Sequence, residues 1–150
     1  MQSSVPMKKQ NPEDFNIIEE QFGKALGAEG AAYRETVTLF IAHKDRDGNP
    51  VPHIEKWIER AEAVLSGIGG GATSQRVRGA WQGKSGPPLH EDTTLVYSYA
   101  PPKAIAKAVD ALRDFMHDYG RETKQAEVAL SLENPDGNWF FKIPESKYRA

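Results

Sequence analysis

Gly67-Ile68-Gly69-Gly70-Gly71-Ala72-Thr73-Ser74, GIGGGATS, contains the G-x-G-x-x-A spacing that cradles a pyrophosphate in dinucleotide-binding units. Its neighbours decide whether that reading holds, and with it the fold. Upstream, Ile54, Trp57, Ile58, Ala61, Leu65 and Ile68 follow the i, i+3, i+4, i+7 template of an amphipathic helix. Downstream, SQRVRGAWQ reads as a strand. The glycines therefore follow a helix and precede a strand, the reverse of what a phosphate loop needs. A phosphate is held by the free N–H groups and positive dipole end of a helix N-terminus. The last carbonyls of a helix carry partial negative charge and repel it. The stretch reads as a helix stop, not a nucleotide cradle.

Working outward, the remaining segments alternate in the same way. NPEDFNIIEEQFGKAL opens with Asn11 as N-cap and Pro12 at the first helical position, and Phe15, Ile18, Phe22 and Leu26 fall at helical spacing. YRETVTLFIAHKD puts Val37, Leu39 and Ile41 on one face and Thr36, Thr38 and Phe40 on the other, a strand. DRDGNPVP is a turn from which Pro52 begins the next helix. After the GIGGGATS stop and its strand comes a long loop, GKSGPPLHED, and then the strand TTLVYSYA. Pro101 and Pro102 open a helix striped by Ile105, Val109, Leu112, Met116 and Tyr119, with Gly120 as its cap. AEVALSLE, the turn NPDG and NWFFKI close the chain as a hairpin.

A helix followed by β-α-β-β-α-β-β is the α+β, ferredoxin-like (split βαβ) arrangement with an extra C-terminal edge strand and an N-terminal helix. Right-handed crossovers put both long helices on one face of a sheet ordered 2-3-1-4-5, with all neighbours antiparallel. Residues 12–144 are expected to form this single domain, with 1–11 a disordered lead-in and 145–150 a flexible tail. Topology also places the loops. His43–Pro52, Gln82–Asp92 and Gly120–Lys124 meet at one edge, here called the top; GIGGGATS, Pro101 and Asn134–Gly137 lie at the bottom.

Composition narrows the function classes. A formal net charge of −2 gives no footprint for nucleic acid or an anionic membrane. The absence of cysteine removes disulfides, thiolate metal sites and a thiol nucleophile, and fits a cytoplasmic protein. No apolar run approaches the roughly 18 residues needed to span a bilayer, and the N-terminus lacks the apolar core of a secretory signal.

At the top edge Asp45, Asp47 and Asn49 begin like a calcium loop. Pro50 then stands where the loop needs Gly and Lys56 where it needs Glu, so a turn is the better reading. HEDTT lacks the second His of a zinc-protease motif; a looser site from His43, His90, Glu91 and Asp45 or Asp47 is outweighed by solvated loop residues. No metal or other cofactor is expected. Trp81 beside flexible glycines suits stacking on a ring, and Arg76, Arg78 and Arg121 are candidate anion holders. Glu127 shares the open sheet face with Thr38, Phe40 and Ala129, where burial would raise its pKa as a general base requires. That apolar open face makes a homodimer the default assembly.

From about residue 36 to 143 the chain resembles a group of small bacterial proteins to which no function is attached. The resemblance is carried by LFIAHKDRDG, GGAT with RGAW, EDTTLVYSY, and YGRETKQAEV followed by WFFKI. It implies that Asp45, Asp47, Thr73, Trp81, Glu91, Arg121, Glu122, Gln125 and Glu127 belong to a shared pattern. The expected function is a binding or regulatory module for a small molecule or protein partner. Its ligand residues would be Asp45, Asp47, Trp81, Arg121, Glu122 and Gln125. The alternative is an enzyme using acid–base or metal-assisted chemistry on a small polar substrate, with Glu91 and Glu127 as acid–base groups.

Overall fold

The computed structural model describes residues 17–29 and 34–149. The expected lead-in and the helix start at Asn11 and Pro12 lie outside the described residues. A π-helical turn, Ile17–Phe22, leads into α1 (Gly23–Leu26). Then come β1 (Glu35–Ala42), α2 (Ile54–Gly69), β2 (Thr73–Trp81) and β3 (Leu89–Ala100). The chain continues through α3 (Pro102–Lys107), α4 (Val109–Glu122), β4 (Glu127–Asn134) and β5 (Gly137–Pro144), and ends in a 3-10 turn, Glu145–Lys147. The strands form one sheet of order β2-β3-β1-β4-β5 with every pair antiparallel. The ferredoxin-like arrangement read from the sequence is the one observed.

Alternation along β1 explains the layering. Val37, Leu39 and Ile41 are fully buried under the helices, beside Val96 of β3 and Val128 and Leu130 of β4. From α2 they meet Trp57, Ile58, Ala61 and Leu65, and from α4 Leu112, Phe115, Met116 and Tyr119. Burying a side chain of this size stabilises the fold by roughly 1.5–3 kcal/mol. That gain holds both helices on one face of the sheet. Trp139, Phe141 and Ile143 of β5 point to the same face, yet Trp139 and Phe141 stay exposed. The two helices cover the inner strands and stop short of this added edge.

Several boundaries differ from the sequence reading, each for a local reason. The long loop expected through Asp92 is shorter: β3 starts at Leu89, so His90, Glu91 and Asp92 lie on a strand paired with Ala80, Gly79 and Arg78. Pro52 does not open α2; His53, in the left-handed region at φ 56°, precedes Ile54. The helix expected from Pro101 to Gly120 is broken at Ala108 and runs on to Glu122, with Thr123 as its C-cap. Gly120 is therefore no cap. Its glycine is required because a Cβ there would lie 2.7 Å from the Tyr148 ring. Residues 145–149 likewise do not behave as the expected tail. Tyr148 is buried, its hydroxyl donates to the Gln125 carbonyl at 2.6 Å, and Glu145 pairs with Arg46 at 2.6 Å.

Candidate functional site

The top edge gathers loops that topology assigns to it, but several of its polar groups hold the fold. The Asp45 Oδ1 accepts from the backbone N–H groups of Asp47 at 2.9 Å and Asn49 at 3.0 Å. This is a side-chain-stabilised turn, closed by a Lys44–Pro50 bridge. Asp47 projects into solvent. Gln125 is buried and donates from Nε2 to the Lys44 carbonyl at 3.1 Å, which ties the α4–β4 loop to the β1–α2 loop. Tyr119 fills the gap where β4 leaves β1: its hydroxyl accepts from the Ala42 N–H at 2.7 Å. Burial raises that phenol well above its usual pKa.

The arginines expected to share an anion are separated by their partners. Arg76 pairs with Asp92 at 3.0 Å, which holds the Asp92 carboxyl below its ordinary range. Arg121 pairs with Asp118 one helical turn back at 2.9 Å. Glu122 is exposed. Trp81 is 53% exposed and sits on a β2–β3 arm. The arm outruns the last β1–β3 pair, Ala42–Thr93, by four residues of β3, or about 13 Å at the usual rise.

The two acid–base candidates part company. Glu127 does face the open side of the sheet, but its side chain is 56% exposed and lies 3.9 Å from Lys142 rather than beside Arg121. The burial a raised-pKa base needs is not met there. Glu91 is half-buried, and burial raises its carboxyl pKa against the opposing pull of Lys44. Such a group favours the folded state when protonated. Its contribution is complete below the unfolded pKa and is lost as pH rises through the higher folded pKa. Glu91→Gln is therefore expected to gain Tm relative to the native chain between about pH 4 and pH 7. A Tm difference that stays constant across that range would refute the assignment.

His43 turns its Nε2 to the Thr94 hydroxyl at 2.7 Å, and burial followed by Arg76 lowers its pKa. Among the described residues, no three His, Asp or Glu side chains are grouped to hold a metal ion.

The concave polar site lies at the bottom edge, where the sequence reading placed only a helix stop. An open pocket of about 500 Å³ is lined by Gly69, Gly70, Gly71, Ala72 and Thr73 on one side, with Arg34, Tyr97, Ser98 and Tyr99 opposite. The stop itself is as expected: Gly70 sits in the left-handed region at φ 87° and its N–H caps the Ser66 carbonyl at 2.8 Å. Gly69 serves close approach, since a Cβ there would fall 2.1 Å from Ser98 Oγ and 2.6 Å from the Tyr99 carbonyl. The Ser98 hydroxyl donates to the Gly71 carbonyl, locking the glycine run against β3.

Strand register supplies the rest of the wall. Thr73 pairs with Tyr97, so both point to the open face, and Tyr99 follows two residues on. The two phenol rings meet edge to face at 6.0 Å. Arg34 donates to the Tyr99 carbonyl at 3.3 Å. The C-terminal carbonyls of α2 give the site a partly negative rim. Tyr97, Tyr99 and Arg34 are the lining residues that sequence reasoning missed. The available signal was the YSY alternation, which sets both tyrosines on one face beside Thr73.

No family model matches the chain, and no curated protein matches it. Solved structures do. A phage SAM lyase in complex with S-methyl-5′-thioadenosine superposes with a TM-score of 0.55 at 16% identity, covering 76% of this chain and 92% of that one. The same kind of enzyme in its apo state gives 0.51 at 16% identity, covering 73% and 88%. Identity this low speaks for a shared fold. Among the described residues no helix is long and apolar enough to cross a membrane.

Proposed function

We propose that this protein is a small-ligand-binding domain, that its site is the glycine–tyrosine pocket, and that its ligand is an adenine nucleoside thioether or the corresponding sulfonium. The pocket carries the reading. Its volume of about 500 Å³ suits a small molecule, since such sites run from about 300 to 1,000 Å³. The rings of Tyr97 and Tyr99 offer flat walls on which a base can stack. The carbonyl end of α2 and the ring faces favour a cationic sulfur, and Arg34, the charged side chain of the lining, is tied to the Tyr99 carbonyl. S-Methyl-5′-thioadenosine bound to the phage SAM lyase motivates the ligand class.

Titration calorimetry with S-methyl-5′-thioadenosine and S-adenosylmethionine tests this. Saturable binding is expected, and Tyr97→Ala should weaken it about 5- to 150-fold, the equivalent of one lost base–aromatic stack. No saturable heat with either adenosyl ligand would overturn the reading.

The enzymatic alternative is favoured by one observation, the half-burial of the Glu91 carboxyl, which pushes its pKa up. Glu91 stands six residues along β3 from Tyr97, about 20 Å at the strand rise, so it would act on a substrate at the top edge. In that reading Glu91 exchanges the proton, with Trp81 as a stacking wall and Arg121, released from Asp118, as the anion anchor. Glu127 keeps no more than a solvated role. As to assembly and setting, the protein is taken to be a cytoplasmic homodimer, supported by the cysteine-free sequence and by Phe140, 51% exposed beside Phe40 on the open sheet face.

A further inference from the structure

The glycine–tyrosine pocket presents opposite charge on its two walls. On one side the glycine run follows the C-terminus of α2, whose last carbonyls are the negative end of the helix. On the other, Arg34 stands beside Tyr99, one residue before β1 begins at Glu35. It is the one charged side chain of the lining. An uncharged nucleoside thioether would leave that guanidinium unused.

Arg34 also differs from most arginines of the chain. Arg46, Arg60, Arg76, Arg113, Arg121 and Arg149 each pair with an Asp or Glu carboxylate. Among the described residues Arg34 has no such partner, and its bond there runs from Nη1 to the Tyr99 carbonyl at 3.3 Å. That bond holds the guanidinium at the rim and occupies one of its five N–H donors. The rest form a planar fork that matches a carboxylate.

We propose that Arg34 anchors the carboxylate of an amino-acid tail on the ligand, and so selects the zwitterionic adenosyl sulfonium over the bare nucleoside thioether. The inference rests on the adenine nucleoside reading of the pocket. In S-adenosylmethionine a short aliphatic chain joins the cationic sulfur to a carbon bearing an ammonium and a carboxylate. Sulfur and ammonium face the carbonyl end of α2 while the carboxylate takes the Arg34 fork. Each ligand charge then meets its opposite across one pocket. Arg34 sets specificity through the tail, and the tyrosines through the base.

Calorimetry compares S-adenosylmethionine with its decarboxylated counterpart, which keeps the sulfonium and ammonium and lacks only the carboxylate. The native chain should bind S-adenosylmethionine about 3- to 10-fold more tightly, as suits a forked pair at an exposed arginine. In Arg34→Gln the ratio should fall to one. Arg34→Lys, which keeps the charge without the fork, should retain part of it. An effect shared by both ligands, such as a wall shifted by loss of the Tyr99 bond, cancels in the ratio. A native ratio of one, with S-methyl-5′-thioadenosine still bound, would overturn this proposal and leave the nucleoside reading standing. A preference that survives in Arg34→Gln would overturn it by placing the carboxylate elsewhere. Adenosine monophosphate bound more tightly than S-adenosylmethionine would give Arg34 to a phosphate and overturn it as well. A native chain that binds none of these ligands would overturn both readings.

Discussion

Trp57→Ala is expected to lower the unfolding free energy by about 3–5 kcal/mol, the range for truncating a buried large aromatic. Trp57 is only 4% exposed and sits where α2 crosses α4. Its ring lies edge-on to Tyr119 at 5.8 Å and tilted against Phe115 at 6.4 Å, with the Arg60 guanidinium 4.8 Å from its centroid. Removing it opens a cavity between α2 and α4 and takes the support from Tyr119, whose hydroxyl holds the end of β1 at Ala42. The nearby Arg60–Asp118 ion pair cannot compensate. Both its side chains are about 40% exposed, and such pairs contribute roughly 0–1 kcal/mol. Urea denaturation followed by circular dichroism measures the change, and a loss below about 1 kcal/mol would show that the α2–α4 contact is not the centre of the core. The variant should also lose the buried component of tryptophan fluorescence, since Trp81 and Trp139 are exposed.

The sheet order was legible because two local patterns and one chiral rule are enough to specify it. Alternation in TVTLFI and TTLVYSYA identifies strands, the Trp57 stripe identifies a helix, and right-handed crossovers leave one arrangement of the pieces. Gly120 and β3 show where local pattern stops informing. A glycine near a helix end looks the same whether it caps the helix or makes room for a distant ring, and the ring here belongs to Tyr148, far along the chain. LHED carries no apolar alternation, so its strand state comes from pairing with Trp81–Arg78 along the β2–β3 arm and not from its own residues.

The same limit applies to the candidate sites. Topology brought the loops of Asp45 and Lys124 to one edge, but it could not show what the groups there already bind. The Asp45 Oδ1 caps its own turn and the Gln125 amide N–H bridges two loops, so both groups already serve the fold. At the bottom edge the helix-end signals of GIGGGATS were right in placing a stop, with Gly70 as the left-handed cap of α2. They were silent on the tyrosines, because the wall arises only when Thr73 registers against Tyr97 across the β2–β3 pair. A glycine run that merely ends a helix and one that also lines a pocket have the same sequence.

Gly69→Ala and Gly67→Ala, two residues apart in α2, are expected to have opposite effects. At Gly67 nothing lies within 4 Å of the position a Cβ would take, and the residue is helical. Replacing glycine there removes backbone freedom from the unfolded chain and should stabilise by about 0.5–1 kcal/mol. At Gly69 the same methyl would meet Ser98 Oγ at 2.1 Å and the Tyr99 carbonyl at 2.6 Å. Ser98 could rotate only by giving up its bond to Gly71, and the Tyr99 carbonyl belongs to the sheet backbone, paired through Thr36 and tied to Arg34. The end of α2 must therefore move off β3, at a cost of about 1–3 kcal/mol or more. That displacement carries Gly70 and Gly71 away from Tyr97 and Tyr99 and widens the pocket. Binding of S-methyl-5′-thioadenosine should fall below detection in Gly69→Ala and stay native in Gly67→Ala. If Gly69→Ala still folds and keeps native affinity, the ligand is not held between the glycine run and the tyrosines. If both variants melt like the native chain, the close approach of α2 to β3 is itself wrong.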